Sequence, residues 1–134
     1  MSERKLIRVR DVMRTQFHTV DGMATVQDAL HLFKQHHLEC LIVNKRNAED
    51  EYGLLLVSDI ARLVLANDRA PARVNVYEVM AKPVIAVDPT MDIRYCARLF
   101  TRFDLSQAPV TEGGKVIGFV GFTDLVLRGL AELY

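Results

Sequence analysis

The stretch Val9–Met13, which reads VRDVM, recurs at Val76–Met80 as VYEVM, 67 residues further along the chain. A second pair of stretches repeats downstream: Gly53–Asp59 reads GLLLVSD and Gly118–Asp124 reads GFVGFTD, 65 residues apart. The patterns follow the same order in both halves, so the 134-residue chain contains one unit twice. This period is longer than that of most solenoid repeats, and two copies that fill the chain favour a pseudo-twofold pair.

The hydrophobic pattern predicts the element order β-α-β-β-α in each half, preceded by a short helical turn. In the first half we expect strands at 17–20, 40–43 and 53–57, one helix capped by Thr25 and one capped by Ser58 and Asp59. In the second half we expect strands at 84–87, 108–111 and 116–122, one helix capped by Asp92 and one capped by Thr123 and Asp124. The predicted fold class is α+β, with an N-terminal arm at 1–8, repeats at 9–66 and 76–134, and a connector at 67–75.

Composition excludes several classes of protein. Lysine plus arginine equals aspartate plus glutamate, 17 of each, so the chain offers no basic excess for nucleic acid. The locally basic segment 4–14 is interpreted as a solvated arm. No stretch reaches the roughly 18 apolar residues that span a bilayer, and the N-terminus lacks the apolar core of a signal peptide. Cys40 and Cys96 lie in apolar stretches and are expected to be buried, so we predict a soluble cytoplasmic protein.

Taken together, the ordered motifs resemble the CBS domain. The order is V-x-x-V-M, V-D, a T-V-x-D-A helix start, an apolar strand, and a glycine-led apolar strand that ends in Ser-Asp or Thr-Asp. Two in tandem resemble a CBS pair, or Bateman module, over nearly the whole chain. The resemblance implies two repeats packed sheet to sheet around a pseudo-twofold axis. It also implies a non-enzymatic regulatory module that binds AMP, ADP, ATP or S-adenosylmethionine, requires no cofactor, forms a homodimer and acts on an unknown effector protein.

The strand-to-helix junctions at Ser58-Asp59 and Thr123-Asp124 are the best candidates for ligand contact. A helix N-terminus attracts phosphate, and a carboxylate can accept hydrogen bonds from ribose hydroxyls. In nucleotide-binding CBS pairs, the matching aspartate is the ribose-binding residue. The alternative is that these side chains only cap helices.

Two departures from the family pattern weaken phosphate binding. Leu56 and Gly121 stand where nucleotide-binding members carry a serine or threonine. Gly121 could still offer its backbone N–H to a phosphate, whereas Leu56 presents only a bulky apolar side chain. Loss of one charge-assisted hydrogen bond costs about 1.5–3 kcal/mol. We therefore expect the Asp59 site to be the weaker one for a phosphorylated ligand.

The resemblance also implies that each cleft borrows its adenine-contacting residues from the other repeat. For Asp124 these are Phe17, His18, Glu39, Cys40 and Leu41. For Asp59 they are Val84, Ile85, Leu105, Ser106, Gln107 and Ala108. The alternative for Cys40, Leu41 and Ile85 is an ordinary place in the core.

The sequence gives little support for a phosphate-binding arginine, a metal site or a catalytic site. Arg62 and Arg128 could reach a phosphate, although a solvated helix face is the simpler interpretation. His31, His36 and His37 lack the cysteine or carboxylate partners of a metal site, so none is predicted. Catalytic motifs such as a Walker A loop are absent from the sequence. Two hypotheses remain: a sensor of an adenosyl ligand, and a ligand-independent dimerisation or interaction scaffold.

Overall fold

The computed structural model describes residues 5–134, so residues 1–4 of the predicted N-terminal arm lie outside the described residues. The chain divides into two compact units, which we call the first and second units. The first unit is His18–Val84. The second joins Met1–Phe17, as far as it is described, to Ile85–Tyr134. The boundaries show that the short helical segment of each repeat belongs to the unit built on the other repeat.

The first unit contains a three-stranded sheet of β1 (Thr19–Val20), β2 (Cys40–Val43) and β3 (Gly53–Leu56), in that order. β1 runs parallel to β2, and β2 runs antiparallel to β3 with Cys40 opposite Leu56 and Val43 opposite Gly53. Its helices are α2 (Val26–His36) and α3 (Val57–Ile60), and α3 continues as a π-helical turn over Ala61–Leu65. Short 3₁₀ turns follow at Pro71–Arg73 and Val76–Glu78.

The start of α2 confirms the predicted capping box. The Thr25 hydroxyl accepts the Asp28 N–H at 3.1 Å, and the Asp28 carboxylate accepts the Thr25 N–H at 3.1 Å. These bonds to Thr25 hold the pKa of Asp28 below its usual value. α2 ends at His37, whose φ of 53° places it in the left-handed region that closes many helices.

The second unit contains α1 (Val9–Val12), α4 (Ile93–Phe103) and an antiparallel pair formed by β4 (Gln107–Glu112) and β5 (Lys115–Gly121). β5 leads into α5 (Phe122–Leu125), a π-helical turn at Val126–Leu130 and α6 (Ala131–Leu133). The predicted cap Asp92 is confirmed, because its carboxylate accepts the Arg94 N–H at 2.8 Å. The segment before α1 is less solvated than the sequence suggested, since Ile7 is buried and its carbonyl accepts the Ile93 N–H at 3.0 Å.

The predicted strand at 84–87 is wrong. Only Val87 pairs, in a single parallel bridge with Val110. In the first unit, the Ile42 N–H donates to the His18 carbonyl and extends the contact between β1 and β2. The residue equivalent to Ile42 in the second repeat is Pro109, which has no N–H to donate. The second unit therefore has a two-stranded sheet where a three-stranded one was predicted.

The two valines of the V-x-x-V motif are buried in the core of each unit. Val9 and Val12 are fully buried in the core of the second unit, and the Val9 N–H donates to the Met91 carbonyl at 2.8 Å. Val76 and Val79 are buried in the core of the first unit, where the Val76 N–H donates to a backbone carbonyl at 2.8 Å. Burial of an aliphatic side chain contributes about 1.5–3 kcal/mol, so each motif fixes a short helix that could not persist alone.

Candidate ligand site

The two aspartates lie inside their helices rather than at the cap position predicted for them. α3 begins at Val57 and α5 at Phe122, so Ser58 and Thr123 are the second residues of these helices. Both hydroxyl residues are exposed. Asp59 and Asp124 are the third residues, three positions after the cap residues Leu56 and Gly121.

Each aspartate closes the first turn of its helix through its own carboxylate. Asp59 Oδ2 accepts the Leu56 N–H at 2.9 Å, and Asp124 Oδ2 accepts the Gly121 N–H at 3.0 Å. Both residues are buried, with exposed fractions of 8% for Asp59 and 3% for Asp124. The expectation that the Gly121 N–H could serve a phosphate is wrong, because that N–H already donates to Asp124.

The second oxygen of each carboxylate faces arginine. Asp124 Oδ1 accepts a hydrogen bond from Arg14 Nε at 2.9 Å, and Arg128 Nη1 lies 4.0 Å from the same oxygen. Asp59 Oδ1 accepts a hydrogen bond from Arg62 Nη2 at 2.9 Å. The arginines are each about half exposed or more, whereas the carboxylates are largely buried. Two guanidinium groups thus face the Asp124 carboxylate, whereas a single guanidinium group faces the Asp59 carboxylate.

Backbone pairing explains why Arg14 reaches Asp124. The Arg14 N–H donates to the Phe119 carbonyl at 2.8 Å, and the Phe119 N–H donates back to the Arg14 carbonyl at 3.0 Å. Gly118 permits this approach, because a Cβ there would lie 2.4 Å from the Arg14 carbonyl oxygen. Arg14 is therefore held beside β5 by its backbone, and its side chain extends to Asp124.

The first unit has the same backbone pairing with a different side chain. Ala81 forms an antiparallel bridge with Leu54, as Arg14 does with Phe119. Alanine cannot reach a carboxylate, so Arg62 on the helix itself pairs with Asp59. Sequence analysis missed Arg14 as a site residue. The signal was present, since Arg14 aligns with Ala81 across the 67-residue repeat.

The structure distributes the predicted site residues over both units. The second unit carries Phe17, Ile85, Ser106, Gln107, Ala108, Gly121, Thr123 and Asp124. The first carries His18, Glu39, Cys40, Leu41, Ser58, Asp59 and Val84. Each predicted cleft takes residues from both units, so the clefts stay predictions of the family resemblance.

Several predicted ligand-contacting residues have identifiable local roles. Leu41 and Cys40 are buried, and Leu41 belongs to the core of the first unit, as the alternative interpretation held. Gln107 pairs with Gly121 across β4 and β5, and its side chain lies where a Cβ on Gly121 would come within 2.5 Å of Nε2. Because Gly121 has no side chain, the Gln107 side chain can lie over the strand at that position. Ile85 is only half-buried.

The histidines and cysteines show no metal-binding arrangement. The His18 and His36 rings stack with centroids 4.0 Å apart and an interplanar angle of 22°. Among residues 5–134, no three His, Cys, Asp or Glu side chains are grouped to hold a metal ion. Cys96 is fully buried, and desolvation raises the pKa of its thiol to about 11. Within the same described range, no helix is long and apolar enough to cross a membrane.

Each aspartate carboxylate has more acceptor positions than these hydrogen bonds occupy. An ionised carboxylate has about four acceptor positions, of which the backbone N–H and the arginine each use one. Two ribose hydroxyls could donate to the remaining positions if a ligand reached the carboxylate. At Asp124, such a ligand would also meet the guanidinium groups of Arg14 and Arg128, which suit phosphate oxygens.

Comparison with known proteins identifies the family. The CBS domain model matches residues 9–66 and 76–130, so the chain belongs to the CBS domain family and carries two copies of the domain. Such a pair is a regulatory module. The chain is 28% identical over 124 residues to the CBS domain-containing protein YhcV of Bacillus subtilis (strain 168), covering 92% of this chain and 86% of YhcV.

Solved structures share the fold. The hexameric CBS-CP12 protein from bloom-forming cyanobacteria is 35% identical with a TM-score of 0.90, covering 92% of this chain and 72% of that chain. The CBS domain pair of protein MJ0100, solved in complex with 5'-methylthioadenosine and S-adenosyl-L-methionine, is 18% identical with a TM-score of 0.81. That match covers 96% of this chain and 99% of the MJ0100 chain. At 18% identity, the likeness to MJ0100 establishes the fold alone.

Proposed function

We propose that this protein is a regulatory sensor that binds an adenine nucleotide at Asp124 and signals its occupancy to a partner protein. The observation that carries the proposal is the buried Asp124 carboxylate with Arg14 at 2.9 Å and Arg128 at 4.0 Å. This combination offers acceptors for ribose hydroxyls next to donors for phosphate. The resemblance to nucleotide-binding CBS pairs, in which the matching aspartate binds ribose, supports it.

The charge at the site favours a phosphorylated ligand over S-adenosylmethionine. Two guanidinium groups against one carboxylate give a local charge of +1 at Asp124, counted from the ion pairs. A phosphate would be attracted there, whereas the sulfonium and ammonium groups of S-adenosylmethionine would be repelled. Each guanidinium group has five N–H donors, and Arg14 directs one of them at Asp124. The other donors, on a side chain that is half exposed, can meet phosphate oxygens.

The Asp59 site is proposed to bind nucleotide more weakly. Its local charge is zero, because Arg62 balances Asp59. Leu56 presents an apolar side chain where a hydroxyl would suit phosphate, and its N–H already donates to Asp59. These features leave Arg62 as the phosphate donor within this site.

Isothermal titration calorimetry with AMP, ADP, ATP and S-adenosylmethionine tests the proposal. We expect heat with at least one nucleotide and weaker or no binding of S-adenosylmethionine. Arg14→Gln should weaken nucleotide binding by about tenfold, since it removes a charge-assisted hydrogen bond. Absence of heat and of any thermal shift at millimolar nucleotide would reject the sensor proposal.

The second candidate is a ligand-independent scaffold that assembles through helix surfaces. Val126, Leu127 and Leu130 on the last helical segment are 46%, 63% and 48% exposed, and exposed apolar side chains grouped in this way mark an interaction surface. A second copy of the chain is the partner proposed for this surface, giving a homodimer. Light scattering should show a dimer that Leu130→Asp dissociates while nucleotide has no effect. Leu99 is less suitable for this test, because it packs against the core of the second unit.

A further inference from the structure

A pocket lies in the first unit, at the opposite end of β2 from Asp59. It has a volume of about 280 Å³. Its lining includes Met23, Asn44, Arg46, Tyr77, Met80 and Lys82, and we call it the Lys82 pocket. Val43 at this end of β2 pairs with Gly53, whereas Leu56, which precedes the helix of Asp59, pairs with Cys40 at the other end. At about 3.3 Å per residue, the two locations are separated by roughly 10 Å of strand.

The Asp50 carboxylate fixes the cations of the Lys82 pocket. Asp50, whose side chain is only 10% exposed, accepts a hydrogen bond from Lys82 Nζ at 2.7 Å. The Arg46 backbone N–H donates to Asp50 at 2.8 Å, and Arg46 Nε lies 3.5 Å from the same carboxylate. The ion pair and these bonds hold the pKa of Asp50 below its usual value. Lys82 keeps two ammonium N–H donors beyond the one directed at Asp50, and the cluster has a net positive charge.

Flat and flexible apolar side chains face the same pocket. Tyr77 is 51% exposed and Met23 is 65% exposed, although both are large apolar residues. Neither side chain belongs to the buried core of the first unit, to which Val76 and Val79 contribute. Methionine adapts its shape to varied partners, and an exposed ring offers a stacking surface.

The repeat provides an internal comparison. Across the 67-residue period, Tyr77 aligns with Arg10 and Lys82 aligns with Thr15, while Met23 aligns with Thr90. The equivalent positions in the second unit keep the valines, as Val9 and Val12, but not the lysine, the tyrosine or the methionine. The pocket's chemistry is therefore specific to the first unit rather than a requirement of the fold.

We propose that the Lys82 pocket binds a small planar organic anion, distinct from the nucleotide proposed at Asp124. Its carboxylate or phosphate group contacts Lys82 and Arg46, and its ring lies against Tyr77 and the two methionines. The volume lies near the lower end of the range for small-molecule sites, which suits one or two fused rings rather than a nucleoside triphosphate.

Methyl NMR of protein labelled with ¹³C at methionine tests the proposal directly. Met23 and Met80 line the pocket, whereas Met13 and Met91 belong to the second unit and serve as internal controls. The probes are 1-naphthoate and 1-naphthyl phosphate, with 1-naphthalenemethanol as the neutral control. We expect saturable shifts of the Met23 and Met80 methyl signals with at least one anion, and weaker binding of the neutral probe. A preference between the two anions identifies the head group.

Matched substitutions distinguish binding at the Lys82 pocket from a general effect of the protein's charge. Lys82→Gln should weaken anion binding by about tenfold. Lys45→Gln removes the same charge from a lysine that lies over the Tyr52 ring, 4.9 Å from its centroid, and should leave binding unchanged. Tyr77→Ala, at an exposed position, should also weaken binding, and an unchanged melting curve followed by circular dichroism shows that each variant is folded. Equal effects of the two lysine variants, or no saturable shift at Met23 and Met80, overturn the proposal.

Discussion

The ion pair between Arg14 and Asp124 should contribute measurably to the stability of the second unit. Arg14 Nε donates to Asp124 Oδ1 at 2.9 Å, and the acceptor side chain is only 4% exposed while the donor is 52% exposed. A hydrogen bond to a charged group contributes about 1.5–3 kcal/mol when it is desolvated. Because half of Arg14 lies in water, we expect solvent screening to reduce the coupling to about 1 kcal/mol.

A double-mutant cycle measures that coupling. Urea unfolding followed by circular dichroism would compare the wild type, Arg14→Gln, Asp124→Asn and the double variant. A loss of about 1 kcal/mol should also lower the melting temperature by roughly 3–4 °C for a chain of this length. Arg128→Gln is the matched control, because Arg128 Nη1 lies 4.0 Å from Asp124 and should couple less strongly. Coupling between Arg14 and Asp124 within 0.3 kcal/mol of zero, about the error of such cycles, refutes this reasoning.

Three further predictions concern Cys96, Asp50 and Leu56. In a Cys40→Ser variant, Cys96 should react with Ellman's reagent only after unfolding in urea, since burial raises the pKa of its thiol to about 11; rapid labelling of the folded protein contradicts this. The Lys82 ion pair lowers the pKa of Asp50, so the stability advantage of wild type over Asp50→Asn should be full at pH 7 and shrink below about pH 4. Unfolding curves across that range measure it, and an advantage that grows in acid contradicts it. In an Asp124→Asn background, Leu56→Ser should raise calorimetric ADP affinity at Asp59 by about tenfold, because it adds a hydroxyl that can face phosphate; unchanged affinity argues against a phosphate position there.

Much of the fold could be predicted from the repeat and its hydrophobic pattern. The capping box at Thr25 and the cap at Asp92 are local signals, and the structure confirms both. The sequence pattern did not predict which of the two units each short helix would join. Val9–Val12 shows an apolar face, but its sequence does not state which core that face enters, and the structure places it in the second unit.

The errors have specific physical causes. The strand at 84–87 was predicted from its own apolar residues, yet its pairing depends on an N–H that Pro109 lacks. The helix starts were predicted two residues late, because Ser-Asp and Thr-Asp are typical capping residues. Here the aspartates accept backbone N–H bonds from inside the first turn. Arg14 was missed because its approach to Asp124 depends on a long-range backbone bridge at Phe119.

We expect Asp124 to hold an adenine nucleotide more tightly than Asp59 does. Calorimetric titration of ADP into the wild type, Asp124→Asn and Asp59→Asn tests it most directly. We expect the wild type to bind ADP, Asp124→Asn to lose at least about tenfold in affinity, and Asp59→Asn to retain the stronger binding event. No binding by the wild type, or an equal loss in both variants, would contradict the account.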